Sequence, residues 1–275
     1  MSLSFCSFAS GSSGNCYLVK TDETAVLIDA GISAARILKE LDRSETPRES
    51  VKALFLTHEH YDHVTGARVT LKRLANAKVY ASEGTFAGAD IREAGKRLSF
   101  ECEIPEERRV VITPEEPVKV GDITVRAFRT LHDAEEPYGY IISSDEGRVA
   151  LVTDTGVVTE EMLDHFAEAD VLVLESNHDT ELLRCGTYHA YLKRRILGDH
   201  GHLSNNQAAD ALIRLLDYSG KKRVVLLAHL SGENNTPAIA ERTVLTALAR
   251  HGRYTGSDLY MGVLLRDEAS LIYRV

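Results

Sequence analysis

The chain has 275 residues, of which 44% are hydrophobic and 27% are charged, and its formal net charge is −9. This composition predicts a globular protein with a sizeable core, and the length fits one domain spanning residues 1–275. The charge argues against a surface that binds nucleic acid over its whole extent, and the absence of an 18-residue apolar run excludes a membrane-spanning helix.

The amino-terminal segment MSLSFCSFASGSSGN has no basic start and only scattered apolar residues. It does not resemble a secretory signal peptide. The cysteines are widely spaced and form no CxxC pair, so we predict free thiols in a reducing cytoplasm. They are Cys6, Cys16, Cys102 and Cys185.

Five apolar, β-branched segments are predicted to be strands buried on both faces. Each of them ends abruptly in polar residues. These polar ends should emerge from one edge of a sheet, where loops build functional sites. In chain order the segments are 24–31, 51–63, 148–156, 169–179 and 223–234.

Helical patterns lie between and after these strands, and several begin with an N-cap candidate or end in glycine. The middle of the chain, 100–145, has short strand patterns separated by turn signals. Strands that alternate with helices predict an α/β protein with helices outside its sheets. The predicted helices span 33–43, 65–77, 159–169, 205–220 and 236–252.

The second strand runs directly into the sequence THEHYDH, residues 57–63. Imidazole and carboxylate groups are ligands of first-row divalent metals, and a solvated turn does not explain so dense a cluster. His58 and His60 are two residues apart in an extended segment, so their side chains leave on the same side. Asp62 and His63 follow where the chain turns. The segment can therefore present two pairs of ligands, one to each side, which favours two metals roughly 3.5–4 Å apart.

The remaining ligands are expected at the ends of other strands. His132, Asp154 and His229 each follow an apolar segment directly. Each one alone could be a capped turn residue. Together they occupy the same kind of boundary, which indicates a shared site.

The sequence HEHYDH resembles the HxHxDH signature of the metallo-β-lactamase superfamily. The resemblance covers essentially the whole chain, because the other expected residues occur in the expected order: Asp29 before the cluster, and His132, Asp154 and His229 after it. It implies a four-layer αββα sandwich with a dinuclear site. Asp154 and His229 are 75 positions apart, which leaves no room for the inserted β-CASP-type domain of larger nucleases.

The resemblance also implies a distribution of ligands. Asp154 would bridge the metals, and Asp29 would form hydrogen bonds within the cluster without ligating. One metal would be held by His58, His60 and His132, and the other by Asp62, His63 and His229.

Further segments are similar to the YycJ/WalJ-like branch of the superfamily. One departure is His189, where that branch is expected to have proline. The branch implies a 5′→3′ exonuclease activity on duplex DNA that is linked to mismatch repair. The matching segments are 10–19, 131–140, 173–179, 191–205 and 228–235.

Substrate contacts are expected in segment 191–205. The basic run there suits a phosphodiester backbone, although a solvated helix face has equal weight. The polar residues that follow suit a phosphate at a helix start, although Ser204 or Asn205 also fits a simple N-cap. The candidates for phosphate contact are Lys193, Arg194, Arg195, His202, Ser204 and Asn205.

Two further segments have more than one interpretation. Residues 10–15, SGSSGN, could cradle a phosphate or form a hairpin turn. His178, at the end of the fourth buried strand, is assigned to the site as an outer ligand, a proton donor to the leaving group or a hydrogen-bonding partner.

The predicted mechanism is hydrolysis by a hydroxide that bridges two zinc or manganese ions, with Asp62 and Asp154 holding both metals. DNA is the expected substrate, and the sequence carries no signal for a protein partner. Two alternatives remain open. The first is a hydrolase of the same fold acting on a thioester, lactone or cyclic phosphodiester, and the second is a non-catalytic, metal-dependent regulatory protein.

Overall fold

A computed structural model describes residues 2–88, 92–93, 96–97 and 104–275. The described strands form two seven-stranded sheets and one two-stranded sheet. Cys6, Cys16 and Cys185 have free thiols, as predicted. Cys102 and the first part of the predicted region 100–145 lie outside the described residues.

The first sheet contains β1 (Ser4–Ala9), β2 (Cys16–Lys20), β3 (Ala25–Ile28), β4 (Val51–Phe55), β5 (Lys78–Ala81), β8 (Arg109–Val111) and β16 (Tyr273–Arg274). Its strand order is β16-β1-β2-β3-β4-β5-β8. Strands β3, β4, β5 and β8 are parallel, so their carboxyl ends share one edge. The short strands β6 (Arg92–Glu93) and β7 (Lys96–Arg97) pair antiparallel with each other.

The second sheet contains β9 (Val118–Val120), β10 (Ile123–Arg129), β11 (Tyr138–Ser143), β12 (Arg148–Val152), β13 (Val171–Glu175), β14 (Arg223–Ala228) and β15 (Leu259–Val263). Its strand order is β15-β14-β13-β12-β11-β10-β9. Strands β12 to β15 are parallel, and the others are antiparallel. All five strands that the sequence predicted as buried are therefore confirmed.

The described helices are α1 (Ala34–Arg43), α2 (Tyr61–Val64), α3 (Ala67–Leu71), α4 (Glu83–Gly88), α5 (Glu160–Glu168), α6 (Thr180–Cys185), α7 (Ala190–Leu197), α8 (Asn205–Tyr218) and α9 (Pro237–Arg250). Four predicted helices are confirmed within two residues at each end. Ser33 and Thr159 cap α1 and α5 through their side chains, as the sequence indicated. Helices α2, α4, α6 and α7 lie outside the predicted helical segments.

The helix predicted over 65–77 was too long, because α3 ends at Leu71. The reason is a long-range contact. The Arg108 guanidinium donates hydrogen bonds to the carbonyls of Leu71, Leu74 and Ala77, which fixes the chain after the helix in turns. Carbonyl groups left free at a helix end need such partners.

Three hydrophobic cores separate four layers. Aromatic residues such as Phe55 and Tyr140 fill the space between the sheets, with their rings 5.5 Å apart. The outer face of the first sheet packs against α1 and α3, and the outer face of the second packs against α5, α8 and α9. This arrangement confirms the αββα sandwich.

The segment between Asp154 and His229 contains α5, β13, helices α6 to α8 and β14. No inserted domain lies in this stretch, all of which the structure describes. Within the described ranges, no helix has both the length and the apolar composition that a bilayer crossing requires.

Candidate metal centre

The strand ends that were expected to carry the site have an unusual backbone conformation. Asp29, Asp154 and His229 follow β3, β12 and β14, and their φ angles are 59°, 59° and 55°. Nonglycine residues rarely adopt this left-handed conformation, although Asp and His tolerate it better than most. Such strain persists only where surrounding contacts impose it, and it concentrates at functional sites.

The first potential metal site brings together His58, His60 and His132, with ligand atoms within 4.8 Å of one another. His132 donates its Nδ1 hydrogen to the carbonyl of Gly201 at 3.0 Å, which leaves Nε2 for a ligand. Burial lowers the pKa of His58 well below its ordinary value and that of His132 to about 4. Both rings are therefore neutral at neutral pH, the form that binds a metal.

The second potential site brings together Asp62, His63 and His229. Carboxylates orient both of its imidazoles from behind. Asp29 Oδ2 lies 2.7 Å from His63 Nδ1, and Glu175 Oε1 lies 2.9 Å from His229 Nδ1. The Nε2 atoms of both rings face Asp62 Oδ2, at 3.5 and 3.3 Å. A buried carboxylate behind a histidine fixes its tautomer and raises its basicity.

Asp154 lies between the two groups. Its Oδ2 is 3.2 Å from His63 Nε2, and its Oδ1 is 3.8 Å from His132 Nε2. Burial would raise the pKa of this carboxyl, but His229 and His63 hold it well below the ordinary value. The side chain is therefore an anion placed where it can reach both sites.

These residues fit a pair of divalent cations. His58 Nε2 and Asp154 Oδ2 are buried and have no hydrogen-bond partner among the described residues. Burial opposes a proton on His229, but Asp154, Asp62 and Glu175 raise its pKa to about 10. Bound cations would replace such protons. The donor set of imidazoles and carboxylates suits zinc or manganese.

Glu175 is a functional residue that the sequence interpretation missed. It is fully buried at the end of β13, and its Oε1 accepts hydrogen bonds from His202 and His229 at 2.8 and 2.9 Å. Its Oε2 accepts from the backbone N–H groups of Thr155 and Leu203. Burial favours the neutral acid, but His202 and the other donors lower the pKa of Glu175 to about 2. The sequence did contain a signal for Glu175, because it is an acidic residue at the end of an apolar strand.

His202 was expected to contact phosphate, and the structure places it beside the metal ligands. Its Nδ1 is 3.6 Å from Asp154 Oδ1, and its ring lies 4.9 Å from that of His132. Because Nδ1 donates to Glu175, the opposite nitrogen is left for a bound substrate.

His178 is buried, and both of its ring nitrogens lack a hydrogen-bond partner among the described residues. It belongs to none of the potential metal groups found there. Burial lowers its pKa to about 4. Its proposed part in the site therefore has no supporting contact.

Most of the other residues expected to contact phosphate form hydrogen bonds or ion pairs within the protein. Ser204 caps α8 and forms a capping box with Gln207. The side chain of Asn205 bonds to Ser176 and Asn235 in the interior. Lys193 donates to backbone carbonyls and Arg195 pairs with Asp133, which leaves the exposed Arg194.

The SGSSGN segment connects β1 and β2 as a hairpin, and its polar side chains contact the ligand loops. Ser10 Oγ accepts a hydrogen bond from the backbone N–H of His229 at 2.9 Å. The backbone N–H of Asn15 donates to the Asp62 carbonyl at 2.8 Å, and its Nδ2 lies 3.1 Å from His63 Nε2. The segment therefore positions ligands from both sheets.

His189 has φ −60° and ψ 148° immediately before α7. A proline ring would impose nearly the same φ. The departure from the branch pattern therefore leaves the local turn unchanged.

Five groups of potential ligands occur among the described residues, and four of them, including the one formed by Asp154, Glu175, His202 and His229, belong to this centre. The fifth, Glu115, Glu161 and His165, lies apart from it. A cation is already present there, because Arg126 Nη2 donates to His165 Nδ1 and its Nε lies 3.7 Å from Glu115 Oε2. This group is explained as an ion-pair network.

Replacing Glu175 with glutamine should lower metal affinity by roughly 10- to 100-fold, as loss of a partner behind a ligand typically does. The substitution places an amide N–H₂ among groups that all donate to Glu175, so His229 loses its support. A competitive titration against a chromophoric chelator measures the change. The matched control is Glu241→Gln on α9, which is exposed. Unchanged affinity in a folded Glu175→Gln variant would contradict the role given to Glu175.

Comparison with known proteins identifies the class. Residues 24–230 match the model of the β-lactamase superfamily domain. The chain therefore belongs to that superfamily and has the fold and the ligand pattern of a metal-dependent hydrolase. Within it, the chain belongs to the family that contains the exodeoxyribonucleases WalJ and YycJ.

The chain is 36% identical to exodeoxyribonuclease WalJ of Streptococcus pneumoniae over 255 residues, which cover 93% of this chain and 89% of that one. It is also 36% identical to exodeoxyribonuclease YycJ of Bacillus anthracis, over 92% of this chain and 91% of that one. Among solved structures, the metallo-β-lactamase fold protein YhfI of Bacillus subtilis superposes with a TM-score of 0.69 over the full length of both chains, at 15% identity. That last likeness concerns the fold alone.

Proposed function

We propose that this protein is a DNA exonuclease that hydrolyses phosphodiester bonds with two divalent metal ions. The observation that carries the proposal is the position of Asp154 between two groups of three ligands. The naming of both relatives as exodeoxyribonucleases supports DNA as the substrate. The 5′→3′ direction and a link to mismatch repair belong to the proposal and depend on likeness to the YycJ/WalJ-like branch.

We assign one metal to His58, His60 and His132, and the other to Asp62, His63 and His229, with Asp154 reaching both. Such a metal pair lowers the pKa of bound water and neutralises the charge that develops on phosphoryl oxygens. Zinc and manganese both fit the donors.

We assign to His202 the role of proton donor. In hydrolysis, a water oxygen bonds to phosphorus, the bond from phosphorus to the departing sugar oxygen breaks, and that oxygen needs a proton. Nδ1 of His202 donates a hydrogen bond to Glu175, so Nε2 carries a transferable proton when the ring is an imidazolium ion. Burial disfavours that form, but Glu175 and Asp154 outweigh it and raise the pKa of His202 above its ordinary value. This placement supports His202, over His178, as the proton donor to the leaving group.

The chain is proposed to act as one unit over residues 1–275 and to work in the cytoplasm. The free thiols of Cys6, Cys16 and Cys185 support a reducing compartment.

The test is digestion of end-labelled duplex and single-stranded DNA, with manganese and with zinc. We expect nucleotides to be released progressively from the 5′ end. Internal cuts, or hydrolysis restricted to a thioester, lactone or cyclic phosphodiester, would replace this proposal with a different hydrolase. Bound metal without hydrolysis of any ester would indicate a regulatory protein.

A further inference from the structure

Helix α7 has one buried side and one solvent side. Ile196 is buried, and Leu192, one turn earlier, is half-buried. Tyr191, Arg194 and Arg195 are exposed. Residues three and four apart share a helix face, so these three exposed side chains form one surface, here called the α7 face.

The α7 face begins at the metal centre. Arg195 forms a two-point ion pair with Asp133, with Nη2 3.0 Å from Oδ1. The same Oδ1 lies 3.3 Å from Nε2 of His132. Arg195 therefore ties the helix to the loop that presents a metal ligand.

The helix is also held from its other side. Lys193 Nζ donates hydrogen bonds of 2.7 Å to the carbonyls of Arg184, in the last turn of α6, and Gly186, which follows that helix. Because Lys193 and Arg195 both anchor α7 to neighbouring segments, the other exposed side chains of the helix are held in a fixed position.

Tyr191 and Arg194 are the side chains that remain available. Tyr191 is 76% exposed. No hydrogen bond or ion pair of the Arg194 side chain is formed within the described parts of the chain. Tyr191 precedes Arg194 by three residues, or roughly 4.5 Å along the helix axis, so the ring and the guanidinium are neighbours on one helix face.

We propose that the α7 face binds the DNA strand next to the bond being cut, and binds it as single strand. Tyr191 stacks on an unpaired base, and Arg194 pairs with a backbone phosphate. A base inside a duplex has both faces covered by its neighbours, so stacking on Tyr191 requires the end of the duplex to be opened. This inference rests on the proposed function and names the strand form that enters the site.

The charge distribution supports single-stranded DNA as the ligand of the α7 face. The chain carries a net charge of −9, so most of its surface repels DNA. The basic residues of α7 adjoin the site, and a free guanidinium beside an exposed aromatic ring is the combination found in single-strand binding surfaces.

The binding test uses a short fluorescent oligothymidine and measures anisotropy in an Asp154→Asn background, which does not turn the strand over. We expect Tyr191→Ala to weaken binding by roughly 10-fold, within the usual range for loss of one stacked base. Tyr191→Phe should retain binding because it keeps the ring. Arg194→Gln should reduce the slope of log affinity against log salt by about one.

Matched controls are Tyr218→Ala on α8, where the ring is 65% exposed, and Arg242→Gln on α9. Metal content, measured with Asp154 intact, should not change in any of the α7 variants. Equal affinity in Tyr191→Ala, Arg194→Gln and the controls would overturn the inference, even if the wild type digests DNA. If those variants lose binding but the wild-type protein does not digest DNA, the α7 face is still a DNA-binding surface and the proposed exonuclease function is wrong.

Discussion

Asp154→Asn should abolish DNA hydrolysis and reduce the number of bound metals from the proposed two to at most one. Asparagine keeps the volume of the side chain but removes its charge. The second carboxylate oxygen, which faces His63 Nε2 at 3.2 Å, becomes an amide nitrogen and can no longer ligate. With both metal groups affected, we expect the loss in turnover to exceed the roughly 100-fold typical for partners behind a ligand. A loss of ~1000-fold would correspond to about 4 kcal/mol of transition-state stabilisation.

Metal content by elemental analysis and turnover on labelled DNA give two independent measurements of this effect. Asp164→Asn on α5, away from the centre, serves as the matched control. A purified Asp154→Asn protein that kept two metals and full activity would show that Asp154 is not a shared ligand.

Much of the centre could be predicted because its signals are local. Each buried strand is an apolar run, and the residue that follows it is polar, as with Asp154 after β12 and His229 after β14. Parallel pairing then brings such ends to a common edge. What the sequence could not give is the left-handed φ of these residues, which is imposed by their surroundings.

The missed features depend on contacts between distant parts of the chain. Glu175 becomes a site residue only because β13 lies beside β14 and because the loop before α8 returns His202 to it. Similarly, Arg195 looked like a phosphate contact until its ion pair with Asp133, 62 positions away, was known. Charge and residue type alone cannot distinguish a committed cation from a free one.

The second large prediction concerns the proposed role of His202 as proton donor. His202→Ala should reduce hydrolysis of DNA by roughly 10²- to 10⁴-fold, the usual contribution of a general acid. The reason is the leaving group. A sugar oxygen departs as a strongly basic alkoxide unless it is protonated, and His202 Nε2 is the nitrogen that the Glu175 hydrogen bond leaves available.

A substrate with a good leaving group separates this role from metal binding. p-Nitrophenolate departs without a proton, so His202→Ala should hydrolyse thymidine 5′-(p-nitrophenyl) phosphate at close to the wild-type rate. If His202 were a required metal ligand, both substrates and the metal content would decline together. Equal losses on both substrates would therefore refute the proton donor. A selective loss on DNA, with metal retained, would leave the Glu175–His202 pair as the group that protonates the departing strand.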